Sequence, residues 1–137
     1  MRDQVNRKIK FREGFRPFAP AVLQECVGDY FDLDQPSPFM LLVAQVRPDR
    51  RIIPAVTHVD GSARIQTVTE DTNPRFYRLI QAFERITGLP ILLNTSFNVR
   101  DQPIVCTPAE AFECFMRTDL DAVVLGSHVV CKPGVSW

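Results

Sequence analysis

The sequence predicts a mixed α/β (α+β) fold with a mixed sheet, and three observations lead to this prediction. Two helix starts are clear, at Asn73 and at Thr107, each followed by a proline. Several apolar segments of strand length lie around these helices. Strands and helices do not alternate in the regular order of a doubly wound parallel sheet. With 137 residues the chain has the length of one domain, so we expect a single domain over residues 1–137.

The first twenty residues contain a charged helical segment and then a stiff loop. Val5 and Ile9 stand four residues apart among charged residues, which predicts the end of a helix over residues 2–10. Residues 11–20 include two prolines, one glycine and three phenylalanines. Because proline lacks a backbone N–H, this segment is expected to be an ordered loop or an edge strand, not a helix or a central strand.

Three strands are predicted in the middle of the chain. Residues 40–46 and 52–59 are apolar runs separated by a turn-like Arg-Pro-Asp sequence, and we expect them to pair as a hairpin. After an Asp-Gly dipeptide that favours turns, residues 63–68 alternate in the manner of a half-buried strand.

The carboxyl-terminal half combines the two clear helices with short strands. The first helix follows Asn73 and repeats apolar residues at three- and four-residue steps until Gly88: Phe76, Leu79, Ile80, Phe83 and Ile86. The second opens with a capping box formed by Thr107 and Glu110. Strands are predicted over residues 90–93, 121–125 and 129–131.

The charge balance argues against several kinds of partner. Sixteen basic residues match sixteen acidic ones, so no overall field attracts nucleic acid or an anionic membrane. No apolar run approaches the roughly 20 residues of a membrane helix, and the start has no apolar stretch of a signal peptide. We therefore expect a cytoplasmic protein that binds neither nucleic acid nor membrane.

The cysteines and histidines show no metal-binding pattern. They are scattered, without a C-x-x-C pair and with the histidines far from the cysteines: Cys26, Cys106, Cys114, Cys131, His58 and His128. No zinc or other protein-bound metal site is predicted from this spacing. Each cysteine has apolar neighbours, which predicts buried free thiols.

Closely spaced cations surround the stiff loop near the amino terminus. Lys10, Arg12 and Arg16 flank or belong to a segment that its prolines hold rigid. A preorganised guanidinium donates two parallel hydrogen bonds to phosphate, and a rigid segment loses little entropy on binding. The cluster predicts a phosphate site, and the alternative is a solvated surface patch.

A second polar cluster, over residues 57–64, lies at a turn between predicted strands. His58 is either a group that orients or protonates a substrate oxygen or a structural histidine of the turn. Arg64 is the stronger candidate for a ligand contact. Ile65 and Val68 near it are apolar, so a charge on this short strand is unusual.

A third cluster follows the predicted strand at residues 90–93. Asn94, Ser96 and Asn98 recur at every second residue and face the same side of an extended chain. Ligands often bind at the carboxyl end of a strand, although a capped turn explains the same residues. Neither a P-loop nor a dinucleotide-binding glycine motif is present, so cations and strand-end polar groups must hold any nucleotide.

Together these segments resemble the carbamoyltransferase family that includes NodU, CmcH and TobZ, over nearly the whole chain. The matching stretches are Ile-Lys-Phe-Arg-Glu-Gly-Phe-Arg-Pro-Phe-Ala-Pro at residues 9–20, Pro-Ala-Val-Thr-His-Val-Asp-Gly-Ser-Ala-Arg-Ile-Gln-Thr-Val at 54–68, Leu-Leu-Asn-Thr-Ser-Phe-Asn-Val-Arg at 92–100 and Pro-Ile-Val-Cys-Thr-Pro at 103–108. Long ungapped motifs of this kind are specific.

The resemblance implies a YrdC-like carboxyl-terminal domain, with a twisted mixed sheet and flanking helices, incomplete at its amino terminus. Such a domain converts carbamoyl phosphate and ATP, carried with Mg²⁺, to a carbamoyl-adenylate. A separate amino-terminal domain, related to the actin-like ATPase fold, then passes the carbamoyl group to a hydroxyl acceptor. The chain is therefore expected to be the adenylate-forming part of an O-carbamoyltransferase, a fragment of a two-domain enzyme.

The same resemblance suggests site residues. A signature of two basic residues followed by Ser-x-Asn corresponds to Lys10, Arg12, Ser96 and Asn98. The residues predicted to be catalytic are Lys10, Arg16, Arg64 and Ser96. Those predicted to bind substrate or nucleotide are Arg12, His58, Asn94, Asn98 and Arg100.

Two departures from the family pattern affect these expectations. The family usually carries a glycine- and arginine-rich segment upstream, and this chain begins after it, so little independent activity is expected. Asp101 stands where glycine is common, and aspartate tolerates the left-handed conformation better than most residues. Two alternatives remain: a non-catalytic nucleotide-binding or interaction module, and an RNA-associated threonylcarbamoyl-adenylate activity. The balanced charge weakens the RNA alternative, and the intact cations weaken the first.

Overall fold

The computed structural model describes residues 1–50 and 52–135, which form two compact units. One unit comprises Met1–Arg16 together with the chain from Ser96 onward, and the other comprises Pro17–Thr95. We call them the terminal unit and the central unit. No helix in the described parts of the chain is both long enough and apolar enough to cross a membrane.

The central unit is built on a four-stranded sheet. Its strands are β1 (Ala19–Leu23), β2 (Leu42–Gln45), β3 (Ser62–Val68) and β4 (Ile91–Asn94), in the spatial order β2-β3-β1-β4. The pair β1 and β3 is parallel, whereas β2 pairs with β3 and β4 pairs with β1 in antiparallel fashion. The predicted mixed α/β class is confirmed, and the architecture is consistent with a YrdC-like fold.

The expectation that prolines keep residues 11–20 out of the middle of a sheet is wrong at its end, because Ala19 and Pro20 belong to the central strand β1. Pro20 lies within β1, opposite Leu93 of β4, although β1 has neighbours on both sides. The ladder with β3 begins only at Ala21, which pairs with Gln66. Pro20 therefore stands one residue before the parallel ladder, where its missing N–H removes no bond from that ladder.

The predicted hairpin between residues 40–46 and 52–59 is wrong in its second strand. The strand β2 is present, but its partner is β3, with Val43 opposite Arg64. Residues 52–59 form turns, in which the Val56 N–H and the Thr57 hydroxyl both donate to the carbonyl of Ile53. Ile53 and Val56, which are three residues apart, are both buried. The apolar residues of this segment are therefore explained by burial within turns and not by a strand.

Short helical segments lie between β1 and β2 and directly after β2. A 3-10 turn over Gln24–Cys26 leads into α2 (Val27–Tyr30), and a second 3-10 turn covers Pro48–Arg50. Phe31 forms an isolated bridge with Val46 after α2, and both side chains are buried.

The long helix of the central unit is α3 (Pro74–Thr87), as predicted. The Asn73 side chain accepts the N–H of Phe76, and Gly88 ends the helix at a φ of 74°, a left-handed conformation that glycine adopts without strain. Ile80 is fully buried in a cluster with Leu23 and Val68. The helix thus covers one face of the sheet.

The terminal unit contains the remaining elements. The helix α1 (Arg2–Val5) continues as one π-helical turn over Asn6–Lys10. The capping box of Thr107 and Glu110 is confirmed at the start of α4 (Pro108–Arg117), and β5 (Ala122–Leu125) pairs with β6 (His128–Cys131) as an antiparallel hairpin. Phe115 of α4 is buried, and the ammonium of Lys132 lies 5.4 Å from the centre of its ring.

All four cysteines are free thiols, as predicted, but they are not all buried. Cys114 is buried on α4, and Cys26 and Cys131 are partly buried. Cys106 is exposed, because it lies in the loop before α4, where its backbone N–H donates to Glu110.

Candidate functional site

Lys10 is only 4% exposed. Its ammonium group is surrounded by oxygen atoms of Ser96 and Asn98. Lys10 Nζ donates to the backbone carbonyls of Ser96 at 2.7 Å and Asn98 at 2.8 Å, and to Asn98 Oδ1 at 2.7 Å. The Ser96 hydroxyl oxygen is a fourth acceptor at 3.3 Å. The Lys10 carbonyl in turn accepts the N–H of Arg100 at 3.2 Å. Lys10 therefore joins the amino-terminal helical turn to residues 96–100.

Neutral oxygens surround the Lys10 ammonium, and none of its partners within residues 1–50 and 52–135 is a carboxylate. Burial lowers the pKa of Lys10 to about 8, and the positive charges of Arg12 and Arg16 act in the same direction. The ammonium is therefore mainly charged at neutral pH without a countercharge beside it. An anion that binds near these groups relieves part of their mutual repulsion.

Asn6 was not singled out from the sequence, yet it holds the arginine-bearing loop in place. Its side chain is completely buried. Asn6 Nδ2 donates to the carbonyls of Gly14 at 3.3 Å and Arg16 at 2.9 Å, while Asn6 Oδ1 accepts from Arg12 Nε at 2.7 Å. One amide thus anchors residues 12–16 of the loop. A lone asparagine in a charged helix gives no sequence signal for such a role.

Two arginines of this region, Arg16 and Arg100, are only loosely paired with acidic groups. Arg16 Nη1 lies 3.9 Å from Glu13 Oε2, and Arg100 Nη1 lies 3.8 Å from Glu13 Oε1. Arg100 Nε is 3.5 Å from Asp101 Oδ2. Burial lowers the pKa of Arg12 first, and the nearby Arg16 lowers it further. Since exposed ion pairs of this length are weak, the guanidinium groups of Arg16 and Arg100 can exchange them for an anionic ligand.

A cleft of about 370 Å³ opens over these groups, within the size range of small-molecule sites. Its lining contains four cationic and two acidic side chains, so it carries a net positive charge: Lys10, Arg12, Glu13, Arg16, Ser96, Asn98, Val99, Arg100 and Asp101. We call it the cation cleft. Asp101 has a φ of 60°, which is the left-handed conformation expected at a position where the family often has glycine.

A second polar site lies on the sheet of the central unit. Ser62, Arg64 and Gln66 alternate along β3 and therefore point to one face of the sheet. Asn94, at the end of β4, donates from Nδ2 to Gln66 Oε1, which shows that its side chain lies on the same face. We call Arg64, Gln66 and Asn94 the amide row. The side chain of Arg64 is exposed.

His58 is bound within its own turn at one end of β3. The His58 N–H donates to the Ser62 carbonyl at 2.7 Å, and Nδ1 lies 3.2 Å from Ser62 Oγ. The Ser62 hydroxyl donates to Asp60 Oδ1 at 2.7 Å, and this bond, with the Ser62 N–H, lowers the pKa of Asp60. Because the Ser62 hydroxyl donates its proton to Asp60, the contact between Ser62 Oγ and His58 requires Nδ1 to be the donor.

The structure divides the predicted site residues between the two units. Six of them line the cation cleft: Lys10, Arg12, Arg16, Ser96, Asn98 and Arg100. The other three belong to the central unit, where Arg64 and Asn94 share a face of the sheet and His58 bonds to Ser62. Gln66 was missed, although the polar alternation of β3 contained a signal for it. The catalytic and binding roles predicted for these residues stay predictions.

Comparison with known proteins identifies relatives over nearly the whole chain. Residues 1–132 match the family model for the carbamoyltransferase C-terminus. The chain is 53% identical to the uncharacterized protein sll1178 of Synechocystis, 48% identical to the nodulation protein NolNO of Sinorhizobium fredii and 45% identical to the nodulation protein NolO of Bradyrhizobium diazoefficiens, each over 96% of this chain. These matches cover 25%, 20% and 25% of the respective relatives, so the chain spans a quarter of their length or less.

Proposed function

The chain belongs to the carbamoyltransferase family as its carboxyl-terminal domain, and from this premise we propose that it binds ATP and carbamoyl phosphate and forms carbamoyl-adenylate. The observation that carries the proposal is the cation cleft. There Lys10, Arg12, Arg16 and Arg100 gather around a space of small-molecule size. Both substrates are phosphate compounds, and these are the groups that proteins use to hold them.

The chemistry of adenylate formation matches such a cleft. Water and carbamoyl phosphate yield carbamate and phosphate, and a carbamate oxygen then attacks the α-phosphorus of ATP. The bond from that phosphorus to the bridging oxygen breaks, and pyrophosphate leaves with its electron pair. Negative charge grows on phosphoryl oxygens in this step, and fixed cations stabilise it without a covalent protein intermediate.

Each group of the cleft has a part in this proposal. Arg16 and Arg100 bind phosphoryl oxygens, since their present acidic contacts are long and solvent-exposed. Arg12, which Asn6 Oδ1 holds in place, adds its positive charge to the same cleft. Lys10 keeps Ser96 and Asn98 in place and adds its charge from below the surface. Mg²⁺ enters as part of the substrate, bound to the triphosphate of ATP.

The transfer of the carbamoyl group to a hydroxyl belongs, in this proposal, to the amino-terminal part of the enzyme. The relatives are four to five times longer than the segment they share with this chain, which leaves room for that second activity. A reactive adenylate is protected from water when both steps occur on one polypeptide.

The test is to incubate the purified chain with ATP, Mg²⁺ and carbamoyl phosphate. We expect release of pyrophosphate that depends on carbamoyl phosphate, together with carbamoyl-adenylate detected by mass spectrometry, at a low rate. Arg12→Ala should abolish both signals. Arg85 is an exposed arginine in the last turn of α3, and Arg85→Ala should leave both signals unchanged.

Binding is measured separately by nuclear magnetic resonance, which follows the backbone amide signals of the cleft residues during titration with each substrate. Unchanged cleft signals at millimolar substrate, with no pyrophosphate, contradict the proposal and favour a non-catalytic module.

A further inference from the structure

Glu13 brings a negative charge into the cation cleft. Glu13 Oε2 lies 3.9 Å from Arg16 Nη1, and Glu13 Oε1 lies 3.8 Å from Arg100 Nη1. The two arginines come from distant parts of the terminal unit, and both line the cleft. The Glu13 carboxylate therefore bridges two guanidinium groups that the proposed function assigns to phosphoryl oxygens.

The backbone of Glu13 is held in place, whereas its side chain can rotate. The Glu13 carbonyl accepts the N–H of Arg16 at 3.3 Å, and Asn6 Nδ2 donates to the carbonyls of Gly14 and Arg16. The Glu13 side chain is 46% exposed, and both of its contacts with arginine are longer than a hydrogen bond. A change of side-chain rotamer can thus withdraw the carboxylate from both arginines without moving the loop.

The Glu13 carboxylate is ionised at neutral pH. A hydrogen bond from its own backbone lowers the pKa of Glu13, and the charges of Arg100, Arg16 and Arg12 lower it further. A phosphoryl group carries up to two negative charges and three acceptor oxygens, whereas a carboxylate has one charge and two oxygens. The two anions therefore compete for the same donors, and the phosphoryl group is the stronger ligand.

Asp101, the second acidic side chain of the cleft, has a different geometry. Asp101 Oδ2 lies 3.5 Å from Arg100 Nε, and the side chain is 88% exposed. Among the residues that the structure describes, Asp101 forms an ion pair with Arg100 only. It contributes the same charge as Glu13 without bridging two arginines, which makes it a control for the effect of charge alone.

We propose that Glu13 is an internal competitor for phosphate in the cation cleft. Its carboxylate bridges Arg16 and Arg100 until a phosphoryl group replaces it, and it returns to both arginines as the product leaves. Glu13 thereby weakens the binding of inorganic phosphate and pyrophosphate and accelerates their release. This inference rests on the proposed function, which supplies the two products, and it gives Glu13 a role in product release and not in the formation of bonds.

The experiment measures the dissociation constants of inorganic phosphate and pyrophosphate for the complete chain. Nuclear magnetic resonance follows the backbone amide signals of the cleft residues during each titration. Glu13→Gln keeps the shape of the side chain and removes its charge. We expect this variant to bind both ions about 3- to 10-fold more tightly than the wild type, because two exposed ion pairs no longer oppose binding. A purely structural role for Glu13 predicts the opposite sign, since a disturbed loop weakens phosphate binding.

Further variants separate competition from a general effect of charge. Glu113→Gln removes the same charge from α4, where Glu113 pairs with Arg117 at 3.3 Å outside the cation cleft, and it should bind as the wild type does. Asp101→Asn should tighten binding by less than about 2-fold. Glu13→Asp keeps the charge but is one methylene shorter, so it bridges the arginines poorly and should fall between wild type and Glu13→Gln.

Two more measurements address the arginines and the release step. In an Arg16→Ala background, Glu13→Gln should tighten binding by a smaller factor, because one of the two bridged groups is gone. In the assay for carbamoyl-adenylate, pyrophosphate should inhibit Glu13→Gln at about 3- to 10-fold lower concentration than it inhibits the wild type. Equal inhibition of the two proteins contradicts a role in release.

The outcomes distinguish this inference from the function on which it rests. Unchanged or weaker binding of both ions by folded Glu13→Gln overturns the inference and leaves the phosphate site intact. Equal tightening in Asp101→Asn also overturns it, because total charge then explains the effect. Tighter binding by Glu13→Gln in a chain that forms no carbamoyl-adenylate supports the competition and contradicts the proposed function. If neither ion shifts the cleft signals of either protein, both fail.

Discussion

Lys10 and Asn98 are joined by two hydrogen bonds although 88 residues separate them in the chain: Lys10 Nζ donates to Asn98 Oδ1 at 2.7 Å and to the Asn98 carbonyl at 2.8 Å. The lysine is buried and the asparagine partly buried. The contact holds residues 96–100 against the amino-terminal turn and thereby shapes the cation cleft.

Replacement of Lys10 by methionine should destabilise the chain. Methionine retains most of the apolar stem but removes the donor to the carbonyls of Ser96 and Asn98. It also removes one of the two donors to Asn98 Oδ1, which keeps its bond from the Ser96 hydroxyl. We expect the free energy of unfolding to fall by about 1 to 3 kcal/mol, measured by chemical denaturation. Lys8→Met is the matched control, because Lys8 is exposed two residues earlier in the same turn. A difference below about 0.5 kcal/mol between the two variants would show that the contact contributes little to stability.

The stability of the chain should also depend on pH through Lys10. Its pKa is lowered from 10.5 to about 8, so the unfolded chain binds more protons than the folded chain between these values. The contribution of Lys10 to the free energy of unfolding therefore rises with pH from about 8 to 10.5 and is constant below this window.

Denaturation of the wild-type chain and of Lys10→Met at pH 7.5, 8.5 and 9.5 tests this dependence. We expect the wild type to gain stability relative to the variant as the pH increases. Other titrating groups are common to both proteins and cancel, including Tyr77, whose hydrogen bond to Glu25 raises its pKa to about 12. A pH-independent difference between the two proteins contradicts the lowered pKa.

Asn6→Ala should loosen the loop that carries Arg12 and Arg16. The variant loses three hydrogen bonds of a fully buried amide, so we expect a destabilisation of about 2 to 4 kcal/mol, together with weaker phosphate binding in the cleft. Asn6→Asp keeps the acceptor for Arg12 but loses both donors, and it should fall between alanine and wild type. Thermal unfolding and phosphate titration measure the two effects. Wild-type stability in Asn6→Ala would show that Asn6 does not hold the loop in place.

If the proposed function holds, Arg16→Ala should reduce carbamoyl-adenylate formation without disturbing the fold. The Arg16 side chain is 54% exposed, and its ion pair with Glu13 is 3.9 Å long, so little stability depends on it. The loss of one charge-stabilising donor typically lowers the rate about 100-fold. Pyrophosphate release is the assay and Arg85→Ala the control. An unchanged rate in Arg16→Ala would exclude this arginine from the chemistry.

The 137-residue chain should not carbamoylate a hydroxyl acceptor, even where it forms some adenylate. Such a transfer needs a base close to the nucleophile. Of the two histidines, His58 is bonded within its turn, and His128 is exposed at the start of β6. Mass spectrometry of a panel of hydroxyl compounds, incubated with this chain or with one of the longer relatives, provides the comparison. Carbamoylated product from this chain alone would contradict the proposal that adenylate formation and carbamoyl transfer belong to different domains.

The amino-acid sequence by itself determined the elements whose signals are local. Asn73 and Gly88 bound α3 because capping and left-handed termination depend on neighbouring residues, and the same holds for Thr107 and Glu110 at α4. The mixed class of the sheet and the grouping of cations around a stiff loop also followed from order and spacing along the chain.

Only the tertiary structure decided which distant segments meet. It placed Pro20 in a central strand, gave β2 the partner β3 in place of residues 52–59, and joined Gln66 to Asn94. Strand pairing depends on burial and register across the sheet, which no local pattern contains. The orientation of the Asn94 amide also depends on tertiary contacts. Its nitrogen donates to Met40 Sδ and to Gln66 Oε1, and the Gln66 amide is oriented by its own bond to the Pro38 carbonyl.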